Sequence, residues 1–219
     1  MNAPQQPPKP QTPFNTLQFR VAEAHWRWKV WKQIYMLGPA GEAEARDRIA
    51  VLNGAAPAFF AMLRDILLQD VALRLCKLVD PREEGRKKKP RRNFSLASAL
   101  EDAKPRLDPS TATQVSTMLD RFKLASEPLI RWRHWVFAHD DYEVATGAHT
   151  PPGLNDTHID AALNAAVEIM RLLDPQAGNC EYAYDQLIAL GDGDSLVFNL
   201  RCAKKYREEC REQLKRPLS

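Results

Sequence analysis

Arg133 and His139 stand six positions apart, and the carboxylates of Asp140 and Asp141 follow directly. An arginine keeps its positive charge and can hold a phosphate through two hydrogen bonds. A histidine can accept or donate a proton near neutral pH. These residue types suit the cleavage of RNA without a metal ion, with Arg133 on the phosphate and His139 as the acid or the base. His134 could assist by binding phosphate or by orienting Arg133.

RNA supplies its own nucleophile, the 2′-hydroxyl, so the enzyme needs a base, an acid and positive charge beside the phosphorus. In a straight α-helix, residues six apart point about 120° away from each other and lie about 9 Å apart along the axis. Arg133 and His139 therefore act together if the helix ends or distorts near His139, or if two copies face each other across a twofold axis. In the structural alternative, Arg133 forms a helix-end ion pair with Asp140 or Asp141.

Other chemistries find little support in the residue pattern. His134 and His139 are five positions apart, whereas two metal ligands on one helix face need a spacing of four. The chain has no Gly-rich phosphate loop and no Ser nucleophile elbow. We therefore predict an enzyme without a metal ion or another cofactor.

Positive charge is concentrated in two segments, although the net charge is only +3. Residues 82–92 hold seven basic side chains against two acidic ones, and the last helix is also basic. Such segments attract phosphate backbones, so the loop over residues 81–94 is a candidate RNA-binding segment; the alternative is a solvated surface loop. The candidate contacts are Arg86, Lys87, Lys88, Lys89, Arg91 and Arg92.

Apolar side chains recur with helical spacing along nearly the whole chain, and no strand pattern is longer than a few residues. The helix over residues 57–79 is the most apolar, which predicts a central core helix with Phe59 and Ile66 among its core side chains. Pro128 predicts a kink or a restart near Ser126, just before the helix that carries Arg133. The predicted fold class is an all-α helical bundle.

The chain of 219 residues is long enough for one domain with a sizeable core. Residues 1–13 are rich in Pro and Gln and predict a disordered tail rather than a secretory signal. No run of eighteen apolar residues indicates a transmembrane helix, and the four cysteines lack metal-site spacing. We predict a cytoplasmic protein with one domain over residues 14–219, including a C-terminal helical extension from about residue 176.

The spacing of Arg133 and His139 in a late helix of an all-α chain resembles the Arg-x(4–6)-His signature of HEPN ribonucleases. Leu73 to Asp80, the basic loop, Ser95-Leu96 and finally the stretch from Arg133 to Asp141 are similar, in this order, to the AbiU-like branch associated with abortive infection. The likeness covers roughly residues 14–175. His134 stands where Asn is the commoner polar residue.

This resemblance implies a HEPN-like bundle with additional helices and a homodimeric, metal-independent endoribonuclease, a toxin or antiphage effector. A non-catalytic HEPN module that binds RNA, a nucleotide or a protein partner is the alternative, because a fold does not prove catalysis. A toxin of this kind could be silenced by an antitoxin or by a nucleotidyltransferase that modifies Tyr142. Arg74 and Asp80 also resemble family positions, and their expected role is an Arg–Asp pair that supports the core.

Overall fold

The computed structural model describes residues 13–35, 41–84, 91–137, 146, 148, 153–175, 183, 184 and 192–215. These residues are almost entirely helical, which confirms the predicted all-α fold class. The tail predicted over residues 1–13 lies outside them, except that Pro13 begins the first helix. The helices are α1 (Pro13–Tyr35), α2 (Glu42–Ala55), α3 (Pro57–Val79), α4 (Leu96–Ala103), α5 (Pro109–Trp132), α6 (Asp156–Leu173) and α7 (Gly193–Lys215). Two antiparallel strands of two residues each, β1 (Glu83–Glu84) and β2 (Arg91–Arg92), stand between α3 and α4.

The chain divides into two compact units. The first unit contains residues 1–25 and 72–185, and the second contains residues 26–71 and 186–219. Helices α1 and α3 contribute residues to both units. The predicted functional residues that the structure describes, including Asp80, Arg92, Arg133 and His134, belong to the first unit.

The core of the first unit is built mainly where α5 packs against α6. On both helices the buried side chains recur mostly every three or four positions, a spacing that places them on one face. These buried side chains include Val115, Leu119, Phe122 and Leu129 of α5, and Ile159, Leu163, Ala166 and Met170 of α6.

Helix α5 is longer than the sequence predicts. The carboxylate of Asp108 caps it by accepting hydrogen bonds from the backbone N–H groups of Ser110 and Thr111, both at 3.0 Å. A further hydrogen bond from the Thr111 hydroxyl is the largest of the effects that hold the pKa of Asp108 well below its usual range. The restart predicted near Ser126 does not occur, because α5 continues through Pro128. Pro128 removes only one backbone donor, and the buried face of α5 on either side keeps the helix continuous.

A polar cluster lies within the core of the first unit. Asp174, just after α6, is fully buried, and its carboxylate accepts a hydrogen bond from Nε2 of Gln18 at 2.9 Å. The buried hydroxyl of Tyr184 lies 3.0 and 3.1 Å from the two carboxylate oxygens of Asp174. A buried charge is costly without partners, so these hydrogen bonds stabilise the carboxylate of Asp174. They also connect the end of α6 to α1 and to Tyr184.

The second unit packs α2 against α7 around the buried side chains of Ile34, Leu52 and Phe60. Gly193, the first residue of α7, lies directly against α1. A Cβ atom at position 193 would stand 2.8 Å from Cβ of Gln33 and 2.9 Å from a backbone oxygen of α1. Glycine is therefore required for α7 to begin this close to α1.

Helix α3 is only partly the buried core helix that its composition predicts. Phe59 and Ile66 are about half exposed, as is Met62 between them. These three residues follow each other at steps of three and four, so they form one apolar stripe on the surface. The predicted core residues that are buried are Phe60, Val71, Leu75 and Leu78.

No single helix in the described part of the chain is long and apolar enough to cross a membrane. The pair α2 and α3, bent by 119°, meets the length and composition criteria only when both helices are counted together.

Replacing Tyr184 by Phe removes the hydroxyl that donates to Asp174 and keeps the ring in the core. The buried carboxylate then loses one donor, so we expect the free energy of unfolding to fall by about 1–3 kcal/mol. Urea denaturation followed by circular dichroism measures this change. The control is Tyr206→Phe, because Tyr206 is 69% exposed on α7. Equal losses of stability in the two variants would contradict a role for the buried hydrogen bond.

Candidate active site

Helix α5 ends at Trp132, and the chain continues as a π-helical segment, Arg133–Phe137. The backbone N–H of Arg133 donates to the carbonyl oxygens of both Leu129 and Ile130, an arrangement that is common at helix ends. In a π-helix the hydrogen bonds join residues five apart instead of four, and such segments are frequent at functional sites. The motif helix is therefore distorted, and the distortion begins at Arg133 itself.

Arg133 reaches the end of α3, where its guanidinium forms an ion pair with Asp80. Nη1 of Arg133 donates to Oδ1 of Asp80 at 3.0 Å, and the two side chains are 25% and 22% exposed. The backbone N–H of Asp80 donates to the carbonyl oxygen of Cys76, and Pro81 disfavours further helix. Because a guanidinium carries five N–H donors in a planar fork, this geometry allows a phosphate to bind beside the carboxylate.

The thiol of Cys76 shares the environment of this ion pair. Cys76 lies one helical turn before Asp80 and is fully buried. Burial raises the pKa of the thiol to about 11; the positive charge of Arg133 opposes this rise, and the negative charge of Asp80 adds to it. Since the thiolate is the reactive form of cysteine, Cys76 is poorly suited to act as a nucleophile here.

Arg74 and Asp80 do not form the pair expected from the sequence, because each has a different partner. Residues six apart on one helix point in different directions, so Arg74 is directed away from Asp80. Nη1 of Arg74 donates instead to Oε2 of Glu23 on α1 at 2.5 Å. The end of α3 is thus connected to α1 by one arginine and to the end of α5 by another.

The remaining motif residues are described only in part. His134 is exposed on the π-helical segment, next to Arg133. His139 and Tyr142 lie outside the described residues, as do the alternative ion-pair partners Asp140 and Asp141. The acid–base role of His139 and the possible modification of Tyr142 therefore stay predictions.

Acidic residues accompany the described part of the basic loop. In the backbone register of β1 and β2, Glu83 is paired with Arg92 and Glu84 with Arg91. Arg92 also forms an ion pair with Asp102 of α4. The other predicted RNA contacts, Arg86, Lys87, Lys88 and Lys89, lie outside the described residues, and so does the side chain of Arg91.

Asp80 is the site residue that sequence reasoning did not connect with Arg133, since 53 positions separate the two residues. The sequence does show Asp80-Pro81 at the end of an apolar helix. This pair of residues predicts the end of the helix but does not predict which residue Asp80 contacts. Among the described residues, no group of three or more His, Cys, Asp or Glu side chains could hold a metal ion.

The fold and a comparison with protein-family models together define the class of this protein as an all-α HEPN domain. Within this class the matching model is the one described as AbiU2, which covers residues 14–194. The chain therefore belongs to the AbiU2 family of HEPN domains. No match was found among curated proteins or among solved structures.

Asp80→Asn keeps the size of the side chain but removes the negative charge beside Arg133. The partly buried guanidinium then has a neutral neighbour, so we expect the free energy of unfolding to fall by about 1–3 kcal/mol. In a urea-denaturation cycle with Arg133→Gln, the two losses should not add, because both variants remove the same contact. Asp65→Asn is the control, since Asp65 is 57% exposed in its pair with Arg64. Fully additive losses would show that the pair contributes nothing.

The raised pKa of Cys76 predicts a loss of stability between about pH 9 and pH 11. The unfolded thiol ionises near its ordinary pKa of 9.0, whereas the folded thiol keeps its proton until about pH 11. The unfolded state therefore loses the proton first as the pH rises, which favours unfolding by up to roughly 2–3 kcal/mol. The measurement is the free energy of unfolding at pH 8 and at pH 10.5.

Cys76→Ala should show a smaller fall in stability with pH than the wild type. The matched control is Cys202→Ala, because Cys202 is an exposed cysteine, and this variant should keep the wild-type pH dependence. The same pH dependence in all three proteins would contradict the assignment to Cys76.

Proposed function

We propose that this chain is a metal-independent endoribonuclease that cleaves RNA through the 2′-hydroxyl. The observation that carries the proposal is the placement of Arg133. Its guanidinium is partly exposed and held by Asp80 at the start of a π-helical segment, in a chain of the AbiU2 family. His139 follows six positions later, and this pair of residues resembles the signature of HEPN ribonucleases.

In the proposed reaction, the 2′-oxygen gives up its proton to a histidine base and attacks the adjacent phosphorus. The bond between phosphorus and the 5′-oxygen breaks, and a histidine acid protonates the departing 5′-oxygen. The products are a 2′,3′-cyclic phosphate and a 5′-hydroxyl. Arg133 stabilises the negative charge that develops on the phosphate oxygens. Asp80 is a positioning residue, because its ion pair orients the guanidinium before RNA binds.

Two copies of the chain complete the proposed site. One histidine cannot be base and acid in the same step, and a twofold axis would place His139 and Arg133 of both copies around one scissile phosphate. The role of a toxin or antiphage effector belongs to the same proposal. In that role an antitoxin, or a nucleotidyltransferase that modifies Tyr142, would hold the nuclease inactive.

A non-catalytic HEPN module that binds RNA, a nucleotide or a protein partner is the second candidate. The ion pairs of the first unit favour it: Asp80 offsets the positive charge of Arg133, and Asp102 offsets that of Arg92. Arginines paired in this way also suit a structural role. The two candidates differ in one respect, because the binding module leaves RNA intact.

Incubation of the purified protein with mixed RNAs in EDTA tests the proposal. We expect the wild type to leave 2′,3′-cyclic phosphate ends and to spare DNA, which lacks the 2′-hydroxyl. His139→Ala and Arg133→Gln should each slow cleavage by about 100-fold or more, since they remove the acid–base group and the stabilising charge. Arg131→Gln is the matched control. Arg131 is exposed, lies two positions before Arg133 and pairs with Glu127.

The outcomes separate the candidates. Cleavage that disappears with EDTA would overturn the metal-free mechanism. If the folded, dimeric wild type cleaves no RNA, the binding module or a silenced toxin becomes the better description. If Arg131→Gln loses as much activity as Arg133→Gln, the effect reflects a general loss of positive charge rather than a specific site.

A further inference from the structure

A cavity of about 510 Å³ lies in the first unit, and none of its lining residues belongs to the site around Arg133. Its volume falls in the range of small-molecule binding sites. The walls come from the start of α1, from β2 and the residues after it, from α4 and the turn that follows it, and from the end of α6. Lining side chains include Phe14, Leu17, Arg92, Phe94, Ser95 and Arg106.

One face of α4 forms the long wall of the cavity. Ser95, Ala99, Ala103 and Arg106 line it at steps of three or four positions, which is the spacing of one helix face. The two alanines in the middle leave room for a ligand. Phe94 contributes an aromatic ring to the same cavity. The guanidinium of Arg20 on α1 lies 4.6 Å from the centre of this ring and helps to hold it.

Ser95 marks one end of this wall. It is the residue before α4 and only 2% exposed, yet its hydroxyl makes no cap hydrogen bond. Within the described part of the chain, the buried Oγ of Ser95 has no hydrogen-bond partner. A buried hydroxyl without a partner is unfavourable, and the nearby N-terminus of α4 carries a partial positive charge. Both features suit a hydrogen-bond acceptor supplied by a ligand.

The opposite end of the wall carries two guanidinium groups. Arg92 forms an ion pair with Asp102, and Nη2 of Arg106 donates to the backbone oxygen of Asp102 at 3.5 Å. Two arginines against one carboxylate leave an excess of positive charge. Guanidinium groups bind carboxylate, sulfonate and phosphate groups through paired hydrogen bonds, so this end of the cavity suits an anion.

We propose that the cavity binds a flat, apolar molecule with an anionic group at one end and a hydrogen-bond acceptor at the other. Arg92 and Arg106 hold the anionic group, and the hydroxyl of Ser95 donates to the acceptor. The ring system occupies the apolar middle, beside Ala99 and Phe94. This site is separate from the proposed catalytic residues Arg133, His134 and His139, although Arg92 is also a predicted RNA contact.

Fluorescence titration of the full-length chain with 6-hydroxynaphthalene-2-carboxylate tests the proposal. We expect saturable binding of one molecule per chain. Naphthalene-2-carboxylate, which lacks the hydroxyl, should bind about three- to tenfold more weakly. 2-Naphthol, which lacks the carboxylate, should bind at least about tenfold more weakly.

Single substitutions test which residue of the cavity contacts each end of the ligand. Ser95→Ala should weaken 6-hydroxynaphthalene-2-carboxylate about three- to tenfold but leave naphthalene-2-carboxylate unchanged. Its melting temperature should not fall, because the lost hydroxyl has no partner among the described residues. Ser126→Ala is the matched control: Ser126 is also buried, its Oγ likewise lacks a partner in the described part of the chain, and it does not line the cavity. Arg106→Gln should weaken both carboxylates and leave 2-naphthol unchanged.

Ala99→Phe fills the middle of the cavity and should abolish binding of all three probes. The proposal is overturned if no probe binds saturably at millimolar concentration, or if a folded Ala99→Phe binds as well as the wild type. Equal affinity for 2-naphthol and the carboxylates would remove the anionic part of the proposal, and an equal effect of Ser95→Ala and Ser126→Ala would remove the role of Ser95. RNA cleavage is measured separately, so either proposal can fail without the other.

Discussion

The ion pair between Arg133 and Asp80 is the constraint on which the candidate active site depends. It joins the end of α3 to the end of α5 within the first unit, at the place where α5 gives way to the π-helical segment. Both side chains are about three-quarters buried, so either charge would be costly without the other. The orientation of the motif arginine is therefore set by a carboxylate that belongs to another helix.

The same principle applies to two further described arginines of the first unit. Arg74 is held by Glu23, and Arg92 is held by Asp102. The positive charge of each of these two guanidinium groups is thus offset by a carboxylate. An anion that binds to these arginines has to share the guanidinium with a carboxylate, and the planar arrangement of five donors allows this sharing. Specific, well-oriented phosphate contacts fit such an arrangement better than diffuse attraction does.

Much of the fold could be predicted because it depends on local regularity. Helical spacing of apolar side chains indicated the helices, and Asp80-Pro81 indicated the end of α3. The errors arose where local rules compete with packing. Pro128 suggested a kink or a restart of the helix, but α5 does not restart, and its buried face continues on both sides of Pro128. Phe59 and Ile66 matched the pattern of a core helix, yet about half of each side chain is exposed, because composition alone does not say which apolar face is covered.

The sequence by itself determined the helical class of the protein, the resemblance to HEPN domains and the presence of Arg133 and His139 six positions apart, since all of these follow from residue types and short spacings. Only the tertiary structure decided that Asp80 holds Arg133, that Cys76 is buried beside them, and that the start of α1 closes a cavity along α4. These contacts join residues far apart in the chain, and their strength depends on burial and on the desolvation of charge. A single sequence does not show which distant residues contact each other or how far each side chain is exposed to solvent.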